Sequence, residues 1–211
     1  MSKTCEDAPS AQPDHDLLDQ WRAGDQQAGQ ELFARYFDSV YRFFETKSDG
    51  DIDEMVQRTF LACVQSRDRF RGEASFRTYL YTIARNELYG NYRRRRRDDE
   101  RLDFLVTSVA ELVTTPRARM ARGEAHRQLL EALQSLPLET QTLLELHYWE
   151  DLDITALATI FEAPAATIRT RLHRARRALR DQLETAASVP RSALASPESL
   201  DDWARTVGGA G

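Results

Sequence analysis

Lysine is almost missing from this chain. Only Lys3 and Lys47 occur, although lysine and arginine together number 29. Nearly every positive charge is therefore a guanidinium, whose planar fork suits phosphates and base edges. The same bias also follows from a GC-rich genome. Cysteine is scarce as well. Cys5 and Cys63 lie far apart, a pattern that makes neither a disulfide framework nor a metal-ligand cluster. Cys63 falls in an apolar helical pattern and reads as a small buried hydrophobe. His15, His126, His147 and His173 are scattered without ligand spacing. No glycine-rich phosphate loop or nucleophile elbow is present. An enzyme is thus the poorest reading, and no cofactor or metal is expected. No run approaches the roughly 18 apolar residues of a membrane span. The polar, acidic stretch "MSKTCEDAPSAQPDHD" has no apolar segment of a secretory signal. These absences predict a reduced, cytoplasmic protein without membrane insertion.

What is present is mostly helical pattern. Residues 1–14 read as disordered. "DLLDQWRAG" opens a helix with Leu17, Leu18 and Trp21 on one side and Gly24 at its end. Asp25 can cap the next helix, whose Leu32, Phe33, Tyr36, Phe37, Val40, Tyr41 and Phe44 follow three-four spacing. Ile52, Val56, Phe60, Cys63 and Val64 continue the pattern, and Leu80, Ile83, Ala84 and Leu88 mark a fourth helix. These pieces predict a first helical domain over residues 15–97. Residues 98–122 mix charges, β-branched residues and a proline, and read as a flexible linker with at most one short helix. A second helical domain spans 123–184, with Asp153 placed to cap a short helix. Residues 185–211 turn to Ala, Ser, Pro and Gly and predict a disordered tail. Leu200, Trp203, Ala204 and Val207 within it could instead form one apolar stripe. The fold class is all-α: two small domains on a linker.

The chain is acidic, with formal charge −5, yet "TIRTRLHRARRALR" (167–180) holds six arginines and no acid. On a wheel of 100° per residue, Ile168, Leu172, Ala175 and Leu179 fall within about 60° of one another. A helix from Ala165 to Leu183 would be roughly 28 Å long and anchored along that stripe. The arginines occupy the other sides. A solvated face normally mixes signs through Glu–Arg pairs, and none is available here between Glu162 and Asp181. A short capped helix and a tight turn precede this stretch, which is helix-turn-helix order. Thr167, Arg169, Thr170, Arg171, Arg174 and Arg177 then become candidate DNA contacts.

Two further clusters lie upstream. "YRRRRR" (92–97) closes the fourth helix, either as a phosphate-tracking surface or as cations favoured at a helix C-terminus. Asp98, Asp99 and Glu100 could pair with it. "RFRGEASFRTYLY" sets Phe70, Phe76, Tyr79 and Tyr81 around a short loop beside those arginines. Such aromatics suit stacking on unpaired bases; Phe76 and Tyr79 are equally plain core residues.

Taken together these motifs resemble a family. "DEMVQRTFL" (53–61), "FRGEASFRTYLYTIARN" (70–86) and the long stretch from "LPLETQ" through "RLHRARRALRDQL" are similar to sigma factors of the sigma-70 family, in the extracytoplasmic-function (ECF) group. The resemblance covers 15–97 as region 2 and 123–184 as region 4. It implies an alternative sigma factor that binds core RNA polymerase and directs promoter-specific initiation in response to stress or another signal. A stand-alone helix-turn-helix regulator is the alternative. Region 2 would dock on the β′ clamp helices through Asp53, Glu54, Gln57 and Phe60. Phe70, Arg71, Phe76, Tyr79, Asn86, Arg93 and Arg94 would serve the minus-ten element, with one base flipped out. Region 4 would meet the β flap and place the arginine helix on the minus-thirty-five element. An anti-sigma protein is a further implied partner. Tyr79 stands where the family commonly has tryptophan, Asp151 where it has glycine and Ala156 where it has glutamate.

Overall fold

The computed structural model describes residues 12–67, 70, 74–95, 103–113, 123–184 and 189–208. Among them every regular element is a helix, apart from an isolated bridge between Ser108 and Pro137. The first domain holds α1 (Asp14–Arg22), α2 (Gln26–Glu45), α3 (Ile52–Ser66) and α4 (Phe76–Arg95). The caps follow from the sequence. The Asp25 carboxylate accepts from the backbone N–H of Gln27 at 2.8 Å, satisfying a donor that the first helical turn leaves open. Asp51 does the same for Glu54 at 2.9 Å. Consecutive helices pack on one another, α1 on α2, α2 on α3 and α3 on α4. A Cβ at Gly29 would lie 2.5 Å from the Trp21 ring, so the glycine is what lets α1 lie flat on α2. Burying each of Leu32, Val40, Phe44, Leu80 and Leu88 completely contributes about 1.5–3 kcal/mol before chain entropy is counted. Cys63 is fully buried, and desolvation pushes its thiol up to about 12.

Helix α1 starts two residues earlier than the pattern predicts. Asp14, assigned to a disordered start, is held by Arg35 and by the Tyr36 hydroxyl. The first eleven residues lie outside the described region.

The second domain holds α6 (Glu124–Gln134), α7 (Leu138–Tyr148), α8 (Ile154–Ile160) and α9 (Ala165–Leu183). Ile168, Leu172, Ala175 and Leu179 are all buried, as the wheel requires, and α9 rests by them on α6, α7 and α8. The turn after α7 puts Asp151 at φ +46°. A left-handed backbone costs an L-residue about 1–2 kcal/mol, and glycine returns part of that gain through its looser unfolded state. Asp151→Gly is therefore expected to stabilise the protein by about 0.5–1 kcal/mol and raise Tm by about 1–4 °C in a thermal melt.

Two expectations for the connecting segments need correction. The described part of the linker, 103–113, is packed in place. Phe104 stacks on Tyr89 of α4 at 4.3 Å, and Val109 of the short helix α5 (Val109–Leu112) is fully buried. Ser108 and Glu111 form a reciprocal capping box at its start. The amides of Leu138 and Glu139 donate to the carbonyls of Thr107 and Phe104 at 2.9 and 3.1 Å, tying this segment to α7. The described part of the tail, 189–208, is likewise packed in place: α10 (Pro197–Gly208) lies across α6, α7 and α9. Leu200 and Ala204 of the noted stripe are fully buried, with Trp203 and Val207 half-buried beside them. The turn to Ala, Ser, Pro and Gly pointed to disorder, whereas the helix forms and sets Asp201 on its buried side. Arg176 and Tyr148, remote in sequence, supply its partners.

Candidate nucleic-acid interface

The helix-turn-helix is built from the cap outward. Asp153 accepts from the Ala156 amide at 2.7 Å and starts α8. Glu162 at φ +50° reverses the chain, the Ala163 amide donates to the Ala158 carbonyl at 3.0 Å, and Pro164 opens α9. Arg169, Thr170, His173, Arg174 and Arg177 then face solvent, and Thr167 is half-buried. Among the described residues, no carboxylate lies within ion-pair distance of Arg169, Arg174 or Arg177. Two of the six arginines of this helix are held differently. Arg171 pairs with Glu139 of α7. Arg176, which the wheel would send outward, is bound through Nε (2.9 Å) and Nη2 by both oxygens of Asp201. No local pattern could have found that contact, because its acid lies in the tail.

In the first domain, Tyr79, Asn86 and Arg93 are seven residues apart along α4. Two turns carry such residues to within about 20° of each other and about 10 Å along the axis, so they form one stripe. Asn86, Arg93 and Arg94 are exposed. Arg95 reaches Asp49 at 2.8 Å and Arg94 reaches Glu87 at 3.6 Å; Asp98, Asp99 and Glu100 lie outside the described residues. At the head of the stripe the Phe70 ring rests on Tyr79 with centroids 4.6 Å apart, and the Arg22 guanidinium lies 5.5 Å from the Phe70 centroid. The Tyr79 hydroxyl is fixed by Ser66. Phe76 differs from its expected role as a base-stacking ring. It is only 3% exposed and packs on Tyr36, so its plane is unavailable to a base in this conformation. It supports Tyr79 from below, with centroids 6.4 Å apart. Arg71 lies outside the described residues.

The third surface lies on α2 and α3. Asp53, Glu54 and Gln57 are exposed and Phe60 is half-buried. Around Phe60 lie residues that the pattern assigned to the core or passed over. Phe37 is 47% exposed and stacks parallel to Phe60, and Leu61 and Val64 are 51% and 46% exposed. The signal was present in the sequence: the apolar stripes of α2 and α3 are wider than one buried face needs.

The domains themselves are joined through charge. The Lys47 ammonium is fully buried and donates to Glu145 of α7, to the Phe43 carbonyl (2.9 Å) and to the Thr46 hydroxyl (3.1 Å). Burial pushes this lysine below its ordinary range, and Glu145 opposes that shift. Gln134 donates to the Thr46 carbonyl at 3.2 Å, and Gln141 steadies the second Glu145 oxygen at 2.6 Å. Arg77 pairs with Glu150 at 2.9 Å. Arg85 lies between the Tyr89 and Phe161 rings, its centre 4.6 and 5.0 Å from their centroids, and meets Glu139 at 3.9 Å.

Comparison with known proteins places both domains. Residues 32–98 match the model for sigma-70 region 2, and residues 126–179 match that for sigma-70 region 4. Relatives include the ECF RNA polymerase sigma-E factor of Haemophilus influenzae, 29% identical over 81% of this chain and 95% of that protein. The sigma-E factor of Escherichia coli K12 is 28% identical over 81% of this chain and 94% of its own length. Among solved structures, CnrH in complex with the cytosolic domain of CnrY has a TM-score of 0.61 at 22% identity, covering 82% of this chain and 99% of that one. The sigma factor RpoE in complex with the anti-sigma factor NepR from Bartonella quintana has a TM-score of 0.58 at 20% identity, covering 74% and 96%. These two likenesses concern the fold. With both characteristic regions matched in order along the chain, and relatives of one kind spanning nearly their full length, this protein belongs to the sigma-70 family as an ECF sigma factor.

Proposed function

We propose that the chain directs core RNA polymerase to promoters by reading two separated DNA elements. The observation that carries this reading is the exposed arginine face, Arg169, Arg174 and Arg177, on α9, the second helix of the helix-turn-helix. Those residues, with Thr167, Thr170 and a released Arg171, are assigned to the minus-thirty-five element. Phosphate contacts would hold the register and bidentate arginine–guanine contacts would specify sequence. Phe70 and Tyr79 are assigned to a base extruded from the minus-ten element, whose unstacking a fitted aromatic surface offsets. Asn86, Arg93 and Arg94 would follow the adjoining strand along α4. Asp53, Glu54, Gln57 and Phe60 are assigned to the β′ clamp helices, and the second domain to the β flap. The protein would act in the cytoplasm. Of the structures of similar fold, one holds the sigma factor RpoE with the anti-sigma factor NepR and another holds CnrH with the cytosolic domain of CnrY; an anti-sigma partner is proposed here as well.

Run-off transcription with core polymerase over a broad promoter set tests the reading. Initiation should depend on this protein and on both promoter elements. Arg174→Ala should cost about 1–3 kcal/mol at the minus-thirty-five element and leave minus-ten selectivity unchanged. Sequence-specific duplex binding without any polymerase-dependent initiation would instead identify a stand-alone regulator.

A further inference from the structure

The match to region 4 ends at residue 179, and the tail helix α10 lies beyond it. Asp201 of that helix is 8% exposed, too deeply set to meet DNA. Its contacts nevertheless run into the DNA-reading helix. One carboxylate oxygen accepts from the Tyr148 hydroxyl at 2.8 Å and from Arg176 Nε at 2.9 Å, and the other accepts from Arg176 Nη2. Arg176 Nη2 also lies 3.0 Å from Nε2 of His147. A guanidinium can only donate, so Nε2 accepts and the ring carries its proton on Nδ1. That nitrogen then donates to the Leu152 carbonyl at 3.1 Å. Leu152 stands between Asp151, at φ +46°, and Asp153, the cap that starts α8. One polar chain thus runs from the tail, through the recognition helix, to the turn that enters the helix-turn-helix. The tail is fitted to this place: a Cβ at Gly208 would collide with the Trp149 indole.

The recognition helix needs such a restraint. Its buried side is the stripe Ile168, Leu172, Ala175 and Leu179, and apolar contacts carry no direction. Directed contacts hold its flanks, Arg171 with Glu139 on one side and Arg176 with Asp201 on the other. Arg171 is assigned to DNA, which leaves the Arg176 side as the lock in the bound state. Arg177 follows Arg176 at once, so fixing one sets the direction of the other. Turning the helix by about 10° moves a side-chain tip at about 6 Å radius by about 1 Å, and a precise contact tolerates about half that.

We infer that Asp201 is a positioning residue for minus-thirty-five recognition: acting through Arg176 and His147, it fixes the rotation of α9 against the entry of the helix-turn-helix, so that the DNA-reading unit extends through α10. The inference rests on the two-element reading above. The chain requires a neutral His147, because an imidazolium would turn a second N–H toward Arg176. Burial, joined by the charges of Arg176 and Arg205, pushes this histidine below its ordinary pKa against the opposing pull of the Leu152 carbonyl and Asp201.

Run-off transcription by holoenzyme carrying the full-length protein tests this, on promoter pairs that differ only in the minus-thirty-five or only in the minus-ten element. The temperature is one at which circular dichroism shows every variant folded. Asp201→Asn should lower the minus-thirty-five preference by about fivefold or more, the loss expected from a weakened base contact. The minus-ten preference and the yield of holoenzyme should stay unchanged. His147→Gln, whose amide can accept from Arg176 and donate to Leu152, should keep the preference, and His147→Leu should lose it. A site that needed only packing would rank those two the other way, and that order overturns the inference. An unchanged minus-thirty-five preference in Asp201→Asn also overturns it and leaves the two-element reading standing. A wild-type protein indifferent to the minus-thirty-five element removes that reading and the inference with it.

Discussion

Leu61→Asp is expected to abolish association with core polymerase and to leave the protein folded. Leu61 is 51% exposed on α3, so an aspartate there stays in water and changes stability by no more than about 0.5 kcal/mol. In the proposed polymerase complex the same position would be covered. Phe37, Phe60, Leu61 and Val64 form an exposed apolar group larger than isolated surface hydrophobes need explaining, and Asp53, Glu54 and Gln57 lie at its edge. A carboxylate buried unpaired at the centre of such a surface costs about 3 kcal/mol or more, over a hundredfold in affinity. Pull-down or fluorescence titration with core polymerase measures this directly, alongside a thermal melt. Phe60→Ala is the less discriminating variant. Phe60 also packs on Phe33 at 4.9 Å, so its loss affects the core as well. Undiminished polymerase binding by Leu61→Asp would move the docking surface off α3.

Asp201→Ala is expected to cost about 2–4 kcal/mol and to release the tail. Its two oxygens satisfy the Arg176 fork, and one also accepts from the Tyr148 hydroxyl at 2.8 Å. Alanine leaves a largely buried guanidinium and a buried phenol without their acceptor. It also leaves His147, whose Nδ1 lies 3.1 Å from the Leu152 carbonyl, facing Arg176 alone across 3.0 Å. Burial already pushes that histidine below its usual pKa. The rest of the dock is mainly apolar: Leu200 and Ala204 with Trp203 and Val207 beside them, the Arg205 guanidinium 5.9 Å from the Tyr148 centroid, and the Trp149 indole donating to the Ala204 carbonyl at 3.2 Å. Hydrogen exchange should then show residues 197–208 losing protection before the remainder of the second domain. Asp201→Asn should fall between the two, since it keeps an acceptor for Tyr148 but not the charge for Arg176. Full protection of α10 in the alanine variant would mean that its apolar side alone holds it.

Most of the local structure was legible from neighbouring residues. Capping by Asp25 and Asp153, the buried stripe of α9 and the order of the helix-turn-helix all depend on groups a few positions apart. The motifs "DEMVQRTFL" and "FRGEASFRTYLYTIARN" were enough to reach the family. Less of the interface was legible. Phe76 and Tyr79 stand three residues apart on one helix, yet one is core and the other half-exposed, and spacing alone left both open. Phe37 and Val64 fit the apolar pattern and still face outward. Periodicity identifies an apolar face and is silent on whether the chain itself covers it.

The sequence by itself determined the helices, their caps, the arginine surface of α9 and membership of the sigma-70 family, because each is written in residues within a turn or two of one another. Only the tertiary structure decided which charges are spent inside the molecule. Arg176 meets Asp201, Arg171 meets Glu139 and Lys47 meets Glu145, partners 25, 32 and 98 residues apart. An ion pair forms where folding brings two charges within reach, and distance along the chain carries no record of it.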